Sequence, residues 1–276
     1  GIIARRSHEL LVADYSGTVL HSPDGGSTWQ RALLDRGIAQ FAGGPTGPVF
    51  ALALDTLLRS SDGHEWEPVR DIEELSESAW LLASDDGGTV CLVQYTLEPT
   101  LEPLVSLAFS RDSGATWQEH RTRAFALVQG AALAPDGRAL AVLALRTGDL
   151  QPTLSLAFLP TEQWITHRWP EALPETSLVR LLWSAAGETL LAVVDTDVWL
   201  VRHPLERPRI ARVGRLDAPA SALGRAGSAG WFLASGTRLW HCASSGTLRA
   251  LVPDGPEQTV IALTGDPTAT GLAGYA

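Results

Sequence analysis

Short apolar runs alternate with turn-forming clusters along the whole chain, and this alternation predicts β-strands. The runs GAALA (130–134) and ALAVLAL (139–145), for example, flank a turn at Pro135-Asp136-Gly137. Few positions follow the 3.6-residue period of an amphipathic helix. Short apolar runs that are punctuated by Gly, Asp and Pro are typical of antiparallel hairpins. The pattern therefore predicts an all-β protein.

The turn clusters recur at intervals of about 40–50 residues, which is the length of a four-stranded propeller blade. They lie at 43–48, 84–88, 135–138, 185–188, 225–230 and 265–270. This period gives four-stranded antiparallel blades at 1–37, 38–74, 75–124, 125–176, 177–217 and 218–258, and half a blade at 259–276. The sequence therefore predicts a single β-propeller domain over 1–276, seven-bladed with an incomplete last blade. A six-bladed propeller is the alternative.

An octapeptide with the pattern Ser-x-Asp-x-Gly-x-Thr-Trp occurs twice in the first half of the chain. Its residues are Ser22, Asp24, Gly26, Thr28 and Trp29 in the first copy, and Ser110, Asp112, Gly114, Thr116 and Trp117 in the second. A shortened copy at 60–66 keeps Asp62, Gly63 and Trp66. Later blades lose the octapeptide but keep the strand pattern. This decay indicates a structural element, because a catalytic motif is needed only once.

The residue types of the octapeptide suit a hairpin turn. Asp24 and Asp112 can accept hydrogen bonds from backbone N–H groups of the turn, and Gly26 and Gly114 suit a positive φ. The tryptophan can bury its ring against a neighbouring sheet, which contributes about 1.5–3 kcal/mol by area. We expect these turns to join neighbouring sheets and to leave no acid free for chemistry.

The octapeptide resembles the Asp-box, or bacterial neuraminidase repeat. The resemblance implies a β-propeller with the box in the turn between the third and fourth strands of a blade, away from the ligand face. Sialidases, xyloglucanases, sortilin-type receptors and photosystem assembly factors all carry the box, so the resemblance implies a fold and leaves the activity open. It favours an extracytoplasmic location, periplasmic or secreted.

The residues that an Asp-box enzyme needs are missing from the sequence pattern. The resemblance to sialidases would imply an arginine clamp for a carboxylate and a Tyr–Glu nucleophilic pair, yet Tyr15, Tyr95 and Tyr275 have no evident glutamate partner. Asp195 and Asp197 could form a glycosidase pair, but a polar turn explains them. We therefore predict no catalytic residues. The alternative function is a carbohydrate-active propeller, either lectin-like or a divergent sialidase or glycoside hydrolase.

Composition excludes several other function classes. The formal net charge is −10, with 31 acidic and 21 basic residues, which argues against a nucleic-acid partner because such binding needs a basic surface. The seven histidines show no close pair along the sequence and no Cys-x-x-Cys occurs, so no metal or cofactor is expected. Cys91 and Cys242 lie in apolar runs, which indicates buried free thiols, although a disulfide is also open. No apolar run approaches the length of a membrane span.

Two long loops and an acidic connection are the candidate partner-binding segments, because long ordered loops in compact folds are frequently functional. They are 95–104 with Tyr95, Glu98 and Glu102, 146–154 with Asp149 and Gln151, and 70–78 with Glu73 and Glu74. Prolines in the first two segments favour extended conformations. The sequence thus predicts a non-enzymatic scaffold or assembly propeller whose partner is another protein or protein complex, with carbohydrate possible.

Overall fold

The computed structural model describes residues 2–5, 8–34, 36–72, 78–97, 102–159, 163–252, 262–264 and 273–275. Its strands pair antiparallel with their neighbours in sequence and form six four-stranded sheets. The only helical element among these residues is a single 3-10 turn, Gly227–Ala229. Within the same ranges, no helix is long and apolar enough to span a membrane. The prediction of an all-β fold with four-stranded antiparallel blades is confirmed.

Each blade consists of four consecutive strands. Blades 1–3 contain β1 (Ile2–Arg5), β2 (Glu9–Ala13), β3 (Thr18–Ser22), β4 (Gln30–Leu33), β5 (Ile38–Gly43), β6 (Val49–Ala53), β7 (Thr56–Ser60), β8 (Glu67–Asp71), β9 (Ser78–Ala83), β10 (Val90–Leu97), β11 (Pro103–Ser110) and β12 (Gln118–Thr122). Blades 4–6 contain β13 (Phe125–Leu133), β14 (Ala139–Arg146), β15 (Pro152–Phe158), β16 (Gln163–Arg168), β17 (Val179–Trp183), β18 (Thr189–Val194), β19 (Asp197–Arg202), β20 (Arg209–Arg215), β21 (Ala220–Arg225), β22 (Gly230–Ser235), β23 (Arg238–Ala243) and β24 (Leu248–Val252).

The described residues form six blades, so the seven-bladed prediction is wrong and the six-bladed alternative fits. After β24 the described residues contain only β25 (Ala262–Thr264) and β26 (Ala273–Tyr275), which pair with each other in a two-stranded sheet. The repeat period suggested half a blade here, but a blade needs four paired strands. β25 lies beside β21 of the sixth blade.

The chain divides into two compact units, Gly1–Phe125 with blades 1–3 and Ala126–Ala276 with blades 4–6 and the final hairpin. In each unit the core lies between successive blades. Leu11 and Val19 of blade 1 pack with Val49 of blade 2, and Trp183 of blade 5 lies in one cluster with Leu143 of blade 4. The middle strands are therefore buried on both faces, which explains why they are continuously apolar rather than alternating.

Each blade has two distinct ends because its strands run alternately up and down. We call the end with the turn between the second and third strands, and with the connection to the next blade, the hairpin end. The opposite end, with the other two turns, is the box end. At the hairpin end of blade 2, the Ile72 N–H directly after β8 donates to the carbonyl oxygen of Asp55 in the β6–β7 turn at 2.8 Å.

Both cysteines are free and buried, in agreement with the first of the two sequence interpretations. Burial raises the pKa of the Cys91 thiol to about 12 and that of Cys242 to about 11. Neither thiol is a reactive thiolate at neutral pH, since only the deprotonated form is nucleophilic. The cysteines are therefore part of the core.

Candidate functional site

The first octapeptide forms a closed turn between β3 and β4. The Ser22 hydroxyl donates to the Asp24 carboxylate at 2.9 Å and accepts from the Gly26 N–H at 2.7 Å. Asp24 also accepts from the backbone N–H of Thr28 at 2.8 Å and from its hydroxyl at 2.7 Å. The Trp29 indole N–H donates to the Gly26 carbonyl at 3.0 Å. Both carboxylate oxygens of Asp24 are thus used within its own turn.

The second full copy repeats this hydrogen bonding between β11 and β12. The Ser110 hydroxyl donates to Asp112 at 2.7 Å and accepts from the Gly114 N–H at 2.8 Å. Thr116 donates to the same carboxylate from its hydroxyl at 2.6 Å and from its N–H at 2.8 Å. Gly26 and Gly114 have φ of 95° and 89°, which side chains disfavour.

The shortened copy between β7 and β8 forms the same kind of turn with fewer hydrogen bonds. The Ser60 hydroxyl accepts from the Gly63 N–H at 2.8 Å, and Asp62 accepts from the N–H groups of His64 and Glu65 at 2.8 and 3.0 Å. These bonds lower the pKa of Asp62, and the bond from the Glu65 N–H has the largest effect. In all three turns the acid accepts hydrogen bonds from backbone N–H groups of its own turn.

We predict that the carboxyl group of Asp112 titrates far below an ordinary aspartate. Its bonds from the Thr116 hydroxyl and N–H, and then from Ser110, lower its pKa to about 2, against about 3.9 for an unperturbed aspartate. Because the folded pKa is depressed, its stabilising effect is complete above about pH 4 and is lost as the pH falls through about 2. Carbon-13 NMR titration of Asp112 checks this. Thr116→Val should raise the midpoint, and a wild-type midpoint near 3.9 would contradict the assignment.

The blade 3 turn is attached to blade 2. The Trp117 indole N–H donates both to Gly114 in its own turn at 3.0 Å and to the Val69 carbonyl of β8 at 3.2 Å. The Arg70 guanidinium lies over the Trp117 ring at 5.1 Å, and Arg59 donates to the Ser113 carbonyl at 2.7 Å. This tryptophan therefore connects two neighbouring sheets.

The blade 2 turn is attached to blade 1 by a polar cluster that sequence spacing did not reveal. His21 Nδ1 lies 2.6 Å from Nε2 of His64 in the turn, and His21 Nε2 lies 3.0 Å from Glu9. The buried Arg5 donates to Glu9 at 3.1 Å and to the Ser61 carbonyl at 3.2 Å. The two histidines are 43 residues apart, about one blade period, and this spacing could have indicated that they lie at equivalent positions of neighbouring blades. No group that could hold a metal ion is found among the described residues.

The expectation that every octapeptide tryptophan buries its ring is wrong for Trp29. It exposes 41% of its surface, whereas Trp66 and Trp117 are half-buried. The Trp29 indole N–H donates to the Gly26 carbonyl of its own turn, whereas that of Trp117 also donates to Val69 of the preceding blade. The same motif thus has a different packing role in its first copy.

The hairpin ends of blades 1–3 expose large apolar side chains, in the turn between the second and third strands of blades 1 and 2 and at the end of β10 in blade 3. These residues are Tyr15 (84% exposed), Leu54 (66%) and Leu97 (41%). The turns of Tyr15 and Leu54 are linked through the connection between their blades, in which Gly37 approaches the Tyr15 carbonyl and Arg36 pairs with Asp55 at 2.7 Å. We call Tyr15, Leu54 and Leu97 the apolar row. Sequence reasoning missed it.

The predicted loop 95–104 is mostly a hairpin. β10 continues to Leu97 and β11 begins at Pro103. Each strand is three residues longer than its counterpart in blade 2, so the hairpin projects about 10 Å further at roughly 3.3 Å per residue. Tyr95 is a correction: it lies within β10 and is only 7% exposed, so its ring is not available to a partner. Glu102 is exposed and lies 3.6 Å from Arg123. Glu98, Glu73 and Glu74 lie outside the described residues.

In the second unit the segment 146–154 forms a tight turn at the end of β14 and β15. Asp149 accepts from Arg146 Nε at 3.0 Å and from the Gln151 N–H at 3.2 Å. The Arg146 guanidinium lowers the pKa of Asp149 to about 2. Asp149 therefore shapes its own turn, which leaves Leu150 exposed and Gln151 half-buried at the tip.

The two aspartates considered as a glycosidase pair serve the fold of blade 5. Asp195 accepts from the Leu178 N–H at 2.9 Å, and Asp197 lies 3.1 Å from Arg215 Nε. Asp195 has a φ of 52° in its turn. Both side chains have structural partners, as expected for a polar turn.

Comparison with known proteins identifies the fold. No protein-family model matches the chain, and no curated protein matches it in sequence. Solved structures do match: a streptogramin B lyase (TM-score 0.70, 9% identity, 96% of this chain and 86% of that one) and the Cps50 (Swd1) β-propeller domain of Myceliophteria thermophila (0.68, 11%, 99% and 92%). YCF48 bound to a D1 peptide is a third (0.60, 15%, 91% and 79%). The chain is a β-propeller.

Propellers with this fold include both enzymes and proteins without known catalysis, so the similarity shows architecture alone at these identities. The resemblance of the octapeptides to the Asp-box family stays a prediction. The two ends of blades 1–3 carry different features. At the box end the octapeptide acids are used within turns, and at the hairpin end apolar side chains are exposed.

Proposed function

We propose that this propeller is a non-enzymatic protein-binding scaffold that binds its partner through the hairpin ends of blades 1–3. The observation that carries the proposal is the apolar row, because Tyr15, Leu54 and Leu97 are exposed at the hairpin ends of three successive blades. Single exposed apolar residues are ordinary, but a set at one end of adjacent elements is typical of an interaction surface.

The composition of this surface fits a protein partner. Aromatic and aliphatic anchors surrounded by polar groups are the usual anatomy of a protein interface. Here the polar groups are Asp14 and Asp55 in the turns and Arg36 between them. One propeller of similar fold, YCF48, has been solved with a bound D1 peptide, which supports peptide binding as a use of this architecture.

The acids that might have suggested an enzyme support the scaffold. Asp24, Asp62 and Asp112 are used by their turns, and Asp195 and Asp197 have partners in blade 5. An acid–base pair needs a carboxyl group that is free to exchange a proton with substrate. The hydrogen bonds and ion pairs that hold these five carboxyl groups within the fold support the scaffold over an enzyme that uses them.

Replacing the apolar row tests the proposal. The triple variant Tyr15→Ser/Leu54→Ser/Leu97→Ser should capture its partner from extracts of the source organism about tenfold less well, because anchor residues carry most of the binding energy. Cross-linking and quantitative mass spectrometry measure the capture. The side chains are exposed, so the melting temperature should change little.

The matched control is Trp29→Ser/Leu251→Ser, which removes exposed apolar side chains at the box end and on β24. It should retain the partner. Equal capture by the wild type and the triple variant would refute the proposed surface. Loss of glycan binding with Tyr15→Leu, without loss of any protein, would favour the carbohydrate-active alternative.

A further inference from the structure

A buried chain of hydrogen bonds joins blades 1 and 2 at the box end. Arg5 of β1 donates to Glu9 Oε1 of β2 at 3.1 Å, and His21 Nε2 of β3 lies 3.0 Å from the same oxygen. His21 Nδ1 lies 2.6 Å from His64 Nε2 in the β7–β8 turn of blade 2. Arg5 is 2% exposed and His21 is 9% exposed, so little water competes with these bonds. We call His21 and His64 the histidine pair.

The carboxylate of Glu9 determines where the protons of the histidine pair lie when both rings are neutral. A carboxylate only accepts hydrogen bonds, so His21 Nε2 carries a proton and donates to Glu9. The other nitrogen of the neutral ring, Nδ1, is then an acceptor, and His64 Nε2 donates to it. One proton therefore lies between the two rings, and Nδ1 of His64 carries a lone pair.

The contact between the rings has room for one proton only. A first additional proton can bind His64 Nδ1, because the N–H of His64 Nε2 then still points to the acceptor on His21, and the positive charge of the donor strengthens the bond. A second additional proton has to bind His21 Nδ1. Two N–H groups would then face each other across 2.6 Å, with like charges on both rings, which disfavours the contact. Double protonation is therefore incompatible with the closed contact.

Charged or titratable groups from the neighbouring elements lie beside the pair. Together with His21 they line a cavity of about 520 Å³, and they are Arg5 of β1, His8 of the β1–β2 turn, Glu9 of β2 and Asp62 of the β7–β8 turn. Arg5 and Glu9 form an ion pair at 3.1 Å, so their charges balance. The bonds of its own turn, that from the Glu65 N–H first, and then the charge of a protonated His64 lower the pKa of Asp62. Asp62 therefore stabilises a first positive charge on His64.

We propose that the histidine pair is a pH-sensitive joint, which holds the box ends of blades 1 and 2 together while one proton lies between its rings and opens when both rings are protonated. Histidine is the side chain whose charge changes most readily near neutral pH. In acid the unfolded chain binds an additional proton on each ring, whereas the closed joint binds one fewer. Stability therefore rises with pH: the contribution of the joint is complete above the range in which imidazoles titrate and is lost as the pH falls through it. The inference goes beyond the proposed function and is tested on the free protein, so each can fail without the other.

Nitrogen-15 NMR of the histidine rings in the folded protein tests the proton count directly. Above the pH range in which imidazoles titrate, we expect a proton on Nε2 of His21 and a proton on Nε2 of His64. As the pH is lowered, the exposed His8 is the internal reference. At the pH where His8 is fully protonated, the pair should have gained one proton and kept its contact, because interacting sites titrate as a unit. Two additional protons on the pair at that pH, with the contact between the rings intact, would overturn the proposal.

Two variants separate the pair from the other histidines. His64→Gln keeps an N–H donor for His21, and its amide can present oxygen instead once His21 is protonated, so the joint tolerates both states. We expect the unfolding equilibrium constant of the wild type to rise about tenfold more than that of His64→Gln between about pH 7.5 and about pH 5.5. His8→Gln is the matched control, because it removes an exposed histidine beside the same cavity, and it should keep the pH dependence of the wild type. Equal pH dependence in the wild type and His64→Gln would show that the pair is not a pH-sensitive joint.

Discussion

Trp117→Ala is expected to lower the free energy of unfolding by about 3 kcal/mol, because it removes a large ring packed between two sheets. The half-buried ring packs against the core cluster of blades 2 and 3, and its N–H bonds to Val69 and Gly114 are lost with it. The Val69 carbonyl then lacks a partner that the native structure supplied. Chemical denaturation measures the effect.

Trp29→Ala is the matched control, since it removes the same side chain from the equivalent position of blade 1. Trp29 is 41% exposed and has only the bond to Gly26, so the loss should be about 1 kcal/mol. Equal losses for the two variants would contradict the interpretation that Trp117 stabilises a contact between blades.

Gly47→Ala should also destabilise the protein strongly, by about 3 kcal/mol or more. Gly47 has a φ of 78° in the β5–β6 turn, and a Cβ atom there would lie 1.8 Å from the Asp86 carbonyl oxygen in the β9–β10 turn of blade 3. Backbone on both sides prevents relief. The variant should therefore separate the box ends of blades 2 and 3.

Gly25→Ala separates this clash from backbone strain. Gly25 has a similar φ of 72°, but a Cβ atom would meet nothing within 4 Å. The cost should be about 1 kcal/mol, the strain of a left-handed residue alone. If both alanine variants unfold at the same denaturant concentration, the close approach of the two turns is not significant for stability.

The turns and strands could be predicted from the sequence because their determinants are local. Asp24 and Asp112 bond to groups within four residues, and the glycine and threonine that complete each turn are in the same octapeptide. The number of blades could not be predicted in this way, because the period of the turns does not show whether residues 259–276 pair with further strands.

The candidate surface could not be predicted because exposure depends on neighbouring elements. Tyr95 looked like a loop residue, yet β10 extends past it and it is buried. Tyr15 and Leu54 each follow an apolar run in the sequence, and the structure places both at exposed turns. The contact between His21 and His64 likewise requires the two blades to be adjacent.

Hydrogen–deuterium exchange on the complex with the captured partner tests the central claim most directly. We predict slower exchange at 14–17, 54–55 and 95–97, the turns and strand end of the apolar row, and unchanged exchange at 22–28 and 110–116. Slower exchange confined to the box turns, with no change at the apolar row, would show that the partner binds the opposite end and would contradict the account.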